Sequence, residues 1–157
     1  MKNELDAKDR EILTLLQNNA RISNKALAEE LGLAPSTALT RVRFLERSGA
    51  IRQYRCEIDP RCAGVHLQAM ISIRLQYHSA PDVEAFRAYI LDLKEVVQVY
   101  HLAGANDFLI HVGVRDAEHL RELTMSSLTT RAEVAHLETA LVFEHTRRDV
   151  LPIPDPM

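Results

Sequence analysis

The hydrophobic rhythm of the chain changes once. Up to about residue 50, apolar positions recur every three or four residues, the period of helices packed on one face. Leu5-Asp6-Ala7-Lys8-Asp9 opens the first of these. An apolar residue precedes a capping aspartate, and an acid stands at the third helical position. Ile12, Leu13, Leu15 and Leu16 then form an apolar face that ends near Asn18-Asn19. Ser23 caps a second predicted helix whose Leu27, Ala28 and Leu31 face inward, and Gly32 supplies a left-handed stop. Pro35 suits the first turn of a third helix, where its missing N–H costs nothing. Ala38, Val42 and Leu45 follow at spacings of four and three, and Gly49 stops the run. A short turn containing a glycine separates the second and third helices, which predicts a helix-turn-helix. Ile51, Tyr54 and Ile58 are then expected in a short hairpin or strand, as in winged variants, before Pro60 and Gly64 mark a linker.

Beyond the linker the period falls to two. From Leu67 to Tyr77 every second residue is apolar, and the residues between, except Met70, are polar. Ser79-Ala80-Pro81-Asp82 opens a helix carrying Val83, Phe86, Ile90 and Leu93. Strands are predicted at Val96–Ala103 and Phe108–Val114, joined through Gly104-Ala105-Asn106-Asp107. Asp116 caps a helix with Leu120, Leu123 and Leu128 on one face, and Val134–His145 is a last strand. The order is βαββαβ, a ferredoxin-like split βαβ. The fold class is therefore α+β. The expected organisation is a helix-turn-helix domain at 1–50, a hairpin and linker at 51–65, a βαββαβ domain at 66–147 and a tail at 148–157. Three prolines in the last seven residues predict an extended, poorly ordered end.

Composition narrows this picture. Of 157 residues, 46% are hydrophobic and 26% charged, the balance of a folded globular chain rather than a disordered one. No apolar run approaches the roughly 18 residues of a membrane-spanning helix. The charged start is no secretory signal, and two cysteines, Cys56 and Cys62, are too few for a disulfide scaffold, so a cytoplasmic protein is expected. A net charge of -3 argues against a nucleic-acid partner, but its distribution does not. Residues 1–64 carry 11 Lys and Arg against 9 Asp and Glu, a net of +2; residues 65–157 carry 8 against 13, a net of -5. Between Ser36 and Arg55 stand five arginines and a single acid, Glu46. Such a stripe is either a solvated surface or an electrostatic footprint for DNA.

The third helix decides how that stripe is presented. With Ala38, Val42 and Leu45 toward the core, 100° per residue turns Ser36, Thr37, Thr40, Arg43, Phe44 and Arg47 outward, with Arg41 at the flank. Short hydroxyl side chains let a helix approach the major groove, and arginines read guanine or hold phosphate. Phe44 is suited to a thymine methyl. The same face also fits an ordinary solvated helix, or one used for protein packing. The seven histidines all follow residue 65, but no His-x-x-x-His or Cys-x-x-Cys spacing brings metal ligands together. No phosphate-cradling glycine loop or nucleophile elbow is present, so neither a metal, a cofactor nor an enzymatic activity is expected.

Three pieces carry a resemblance: Leu5-Asp6 opening the first helix, RISNKALAEELGLAPSTALTRVRFLERSGAIRQYRCEIDP, and LAGANDFLIHV. Together they resemble the Lrp/AsnC (feast/famine) transcription regulators over roughly Leu5 to His145. The chain departs from the usual pattern at Ala34 (usually serine), Phe44 (usually basic or polar) and Leu137 (usually threonine). The resemblance implies double-stranded DNA as partner of the third helix, through Ser36, Thr37, Thr40, Arg41, Arg43, Phe44 and Arg47. It also implies a small effector, an amino acid, at the segment holding Leu102, Gly104, Asn106 and Asp107. There a carboxylate would pair with an ammonium group while backbone N–H groups meet a carboxylate. A homodimer assembling to higher oligomers such as an octamer, and association with the nucleoid, are further implications. Two alternatives remain: a haem-pathway decarboxylase of similar architecture, and a nucleoid-packing protein of low sequence preference.

Overall fold

In the computed structural model, described here for residues 5–146, 148 and 150–153, the chain forms two units. One holds the described residues up to Glu57 together with those from Thr146 onward; the other runs from Ile58 to His145.

The first unit is built on helices α1 (Ala7–Asn18), α2 (Asn24–Leu31) and α3 (Pro35–Arg47). Asp6 accepts the Asp9 N–H at 2.8 Å, and the Asp9 carboxylate reaches back to the Asp6 N–H, so two unpaired donors of the first turn are satisfied at once. Ser23 caps α2, and Gly32 ends it at φ 64°, a left-handed conformation that costs a glycine nothing. The N-cap position of α3 is Ala34, and no side chain caps the helix, Ser36 included. Instead the Asn24 side chain donates to the Pro35 carbonyl at 2.8 Å and ties the start of α2 to the start of α3. Ile12, Leu27, Leu31 and Leu45 make a buried core against which Leu16, Val42 and Ile51 pack. Truncating such a buried leucine or isoleucine to alanine costs about 2–5 kcal/mol.

The expected hairpin or strand at Ile51, Tyr54 and Ile58 does not form: no strand lies between α3 and a short 3-10 turn at Pro60–Ala63. Residues 52–59 do not pair with one another, and no other described part of the chain offers them a partner strand. Tyr54 donates its hydroxyl to Glu46 at 3.0 Å, and Ile58 is exposed.

The second unit is an antiparallel sheet in the order β2-β3-β1-β4: β1 Leu67–Leu75, β2 Val96–His101, β3 Phe108–Val114 and β4 Val134–Leu141. Helix α4 (Ala80–Asp92) and helix α5 (Ala117–Glu122), which continues as a π-helical turn at Leu123–Leu128, complete the βαββαβ order. Ala69, Ile71, Ile73 and Leu75 of β1 and Phe108, Ile110, Val112 and Val114 of β3 are buried against Phe86 and Ile90 of α4 and Leu120, Leu123 and Leu128. The Tyr89 hydroxyl donates to the Ser127 carbonyl at 2.7 Å and pins the wide π turn, and the Arg131 guanidinium lies 4.3 Å over the Tyr89 ring.

Three of the strands end earlier than alternation predicts. Strand β1 stops at Leu75 rather than Tyr77 because its register with β4 slips between Arg74 and Leu75. Strand β2 ends at His101 and β4 at Leu141, where pairing with the neighbouring strand runs out. The end of the chain also differs from expectation. Leu151–Ile153 hold no regular secondary structure, but Leu151 is hydrogen-bonded to Gln17 of α1 and Ile153 lines a cleft beside that helix; residues 154–157, the rest of the predicted loose end, lie outside the described residues.

Candidate functional site

Helix α3 presents a clean division of faces. Ala38 and Leu45 are fully buried, and Val42 packs on the core. Around them Ser36, Thr37, Thr40, Arg43, Phe44 and Arg47 are all exposed. The Thr40 hydroxyl donates to the Ser36 carbonyl at 2.9 Å, which leaves its oxygen facing out as an acceptor. The Arg47 Nε donates to the Arg43 carbonyl at 3.1 Å, which lays that side chain back along the helix toward Arg43. Phe44, 45% exposed, places an apolar ring among these polar groups.

Arg41 differs from its neighbours. Its guanidinium donates to Asp6 at 2.6 Å and to Asp9 at 2.8 Å, and the Asp9 side chain is only 7% exposed. The cap of α1 and the flank of α3 are thus one electrostatic unit. The Asp9 N–H and the Arg41 side chain hold the Asp6 carboxyl below the usual carboxylate range, and the two carboxylates raise Arg41 above its ordinary value. The sequence shows Asp6 and Asp9 as a cap; nothing in it shows that the same oxygens take an arginine 32–35 residues away.

At the other candidate, Leu102, Gly104 and Ala105 are exposed and Asn106 is half-buried, in an open connection closed by the Leu102 N–H donating to the Asp107 carbonyl at 2.8 Å. The Asp107 carboxylate is largely withdrawn from solvent and already partnered. It accepts the Leu75 N–H at 2.7 Å and meets His78 Nε2 at 3.2 Å, and its side chain is 15% exposed. The reason lies in the sheet. The Asp107 N–H bonds the Ile73 carbonyl, so the next β1 donor, Leu75, points past the start of β3. The Asp107 side chain supplies the acceptor that a continuing strand would have given. His78 was missed as a member of this cluster; it lies just outside β1, where alternation carries no information.

The other titratable side chains are placed elsewhere. His111, 6% exposed, sits in β3 on the face opposite the helices, with Nε2 2.7 Å from Gln68 Oε1 and the His145 ring 5.6 Å away. Burial first, and then His145, push its pKa down. His119 meets Glu95 at 3.0 Å beside a cleft of about 350 Å³ that Glu122, Ser126 and Ser127 also line. Cys56 and Cys62 are exposed free thiols. Among the described residues no three His, Cys, Asp or Glu side chains gather as a metal site, and no helix is long and apolar enough to cross a membrane.

A winged helix-turn-helix DNA-binding model matches residues 5–52, and the Lrp/AsnC ligand binding domain matches residues 68–151. The chain belongs to the Lrp/AsnC family. The HTH-type transcriptional regulator AldR of Mycolicibacterium smegmatis is 46% identical over 144 residues, 92% of this chain and 84% of that protein. The leucine-responsive regulatory protein of Salmonella typhimurium is 35% identical over 146 residues, 92% of this chain and 88% of that one. The crystal structure of a transcriptional regulator from Neisseria meningitidis in complex with L-Met superposes with a TM-score of 0.84 at 28% identity, covering 92% of this chain and 93% of that one. This Lrp/AsnC protein is thus a transcriptional regulator with a DNA-binding helix-turn-helix and an effector-binding domain. The relatives are transcriptional regulators by name, so an enzyme is not indicated.

Proposed function

We propose that this Lrp/AsnC regulator reads double-stranded DNA sequence-specifically through the outer face of α3, and that an amino acid bound at the 102–107 connection modulates it. The observation that carries the DNA reading is the division of α3: six candidate contact residues are exposed around a buried Ala38 and Leu45. Ser36, Thr37 and Thr40 at the start of the helix let it enter a major groove. Arg43 and Arg47 offer donors to guanine or phosphate, and Phe44 offers a surface to a thymine methyl. Arg41 acts behind this face, by fixing α3 against α1.

For the effector, the leucine-responsive name of one relative and the L-Met bound to another support an amino acid. A carboxylate offers about four acceptor positions, and Asp107 spends two on Leu75 and His78. The remainder suffice for an ammonium group, while Leu102, Gly104 and Asn106 line its approach and backbone N–H groups near Gly104 take the carboxylate. The helices cover only one face of the sheet. The opposite face, with Val97 and Tyr100 exposed, supports a homodimer that buries it, and from it a higher assembly such as an octamer. Two α3 helices would then meet half-sites about 34 Å apart.

The test is binding to genomic DNA fragments, with random DNA as competitor, with and without a panel of free amino acids. Retention of a subset of fragments, shifted by one or a few amino acids, is the expected result. Equal retention of all fragments would replace this reading with non-specific DNA packing.

A further inference from the structure

The segment after β4 continues out of the sheet unit, and its described residues from Thr146 onward group with the helix-turn-helix unit. Two observations fix its seat. The Leu151 N–H donates to Gln17 Oε1 at 2.6 Å, and Gln17 Nε2 donates back to the Leu151 carbonyl at 3.3 Å. One side-chain amide thereby satisfies both backbone groups of one residue, as a neighbouring strand would. Two residues on, Ile153 lines a cleft of about 450 Å³ with Ala7, Thr14 and Leu15 of α1 and Leu31 of α2. Pro152 between them has a fixed φ, so little backbone entropy is lost on docking. The lining comes from α1, α2 and the segment itself, so the outer face of α3 stays open.

We propose that Leu151–Ile153 is a strap: it seats on α1 and α2 and ties the effector-binding unit to the DNA-reading unit a second time. The chain already joins the two units once, between Glu57 and Ile58. A single tether leaves the reader a wide range of orientations, and each must be given up when two readers bind two half-sites. A second attachment closes the chain into a loop and removes part of that cost beforehand. The strap therefore matters for paired half-sites and little for one. This consequence rests on the DNA reading proposed above; the seat itself does not.

Three measurements on the full-length chain test it. Amide exchange at Leu151 is expected to be slow, and faster by about tenfold or more in Gln17→Ala, which removes both hydrogen bonds. Free exchange in the unaltered chain, or no change in Gln17→Ala, overturns the seat. A photoreactive p-benzoylphenylalanine substituted at Ile153 is expected to cross-link to an α1 or α2 peptide in a product of monomer size. A dimer-sized product would assign the seat to the tail of a second copy and overturn the strap within one chain. Finally, Gln17→Ala and a chain ending at Thr146 are expected to lose roughly tenfold in affinity for a duplex with two half-sites and little for a duplex with one. Equal loss on both would reduce the segment to a part of the reader's own fold. If the unaltered chain binds neither duplex, the DNA reading fails, while exchange and cross-linking still decide the seat.

Discussion

Arg41 belongs by sequence to the basic stripe of α3, yet its guanidinium is held by Asp6 and Asp9. Arg41→Gln removes the cation and keeps much of the stem. The bond to Asp9 is charge-assisted and its acceptor is nearly buried, a class worth about 1.5–3 kcal/mol. The bond to Asp6 lies at a half-exposed carboxylate and adds no more than about 1 kcal/mol after solvent screening. Arg41 is itself one-third exposed, so water partly replaces what is lost, and the expected cost is about 2 kcal/mol to the helix-turn-helix unit. The two units need not unfold together, so a single melting temperature is a poor readout. Amide exchange at core positions such as Ile12 and Leu45 isolates the relevant unit. A double-mutant cycle with Asp9→Asn is expected to give a coupling above about 1 kcal/mol. DNA affinity measured where the variant remains folded is expected to fall much less than in Arg43→Ala. Additive stability losses, or a large affinity loss with unchanged stability, would refute the positioning role and return Arg41 to the DNA face.

Arg43→Ala is expected to weaken DNA binding by roughly 1–3 kcal/mol with core amide exchange unchanged; a loss confined to sites with one particular base assigns Arg43 to guanine, and a uniform loss assigns it to phosphate. Asp107→Asn keeps an acceptor for the Leu75 N–H but removes the charge, so affinity for the best amino acid of the panel, by calorimetry, is expected to drop about one to two orders of magnitude with assembly intact. Unchanged affinity would limit Asp107 to holding the end of β1. His111 has a lowered folded pKa, so the unfolded chain binds its proton first as the pH falls. Stability of the sheet unit is therefore full above the ordinary histidine value of about 6.5 and declines below it toward the folded value. His111→Gln is expected to flatten that decline in denaturation curves run from pH 5 to 8; an unchanged slope would assign it to other groups.

What the sequence made legible was what neighbours along the chain decide. The Asp6–Asp9 cap, the Ser23 cap, the Gly32 stop and the alternation of β1 are set within four residues, and all stand in the structure. What it hid depends on partners far away. The segment after α3 carries apolar residues that suit a strand, Ile51, Tyr54 and Ile58, but a strand exists only with a second strand beside it, and none of the described residues supplies one. The shortening of β1 follows from a register slip against β4, invisible in β1 itself. The seat of Leu151 depends on an amide 134 residues earlier.

The same distinction governs the charges. Five arginines between Ser36 and Arg55 count equally in composition, but geometry divides them. Arg41 is neutralised by two carboxylates that also cap α1, and Arg47 is drawn toward Arg43 by the Arg43 carbonyl. The positive charge on the exposed face of α3 is therefore centred on Arg43 and Arg47, flanked by hydroxyl groups and one aromatic ring. A face with two cations gains little from counterion release alone, since that gain grows with the number of phosphates neutralised. On the DNA reading proposed above, selectivity would then rest on the fit of Ser36, Thr37, Thr40 and Phe44 to base edges and on the pairing of two readers. That places weight on whatever fixes one reader relative to another, and so joins Arg41, which sets α3 against α1, to the strap that grips α1 from the other end of the chain.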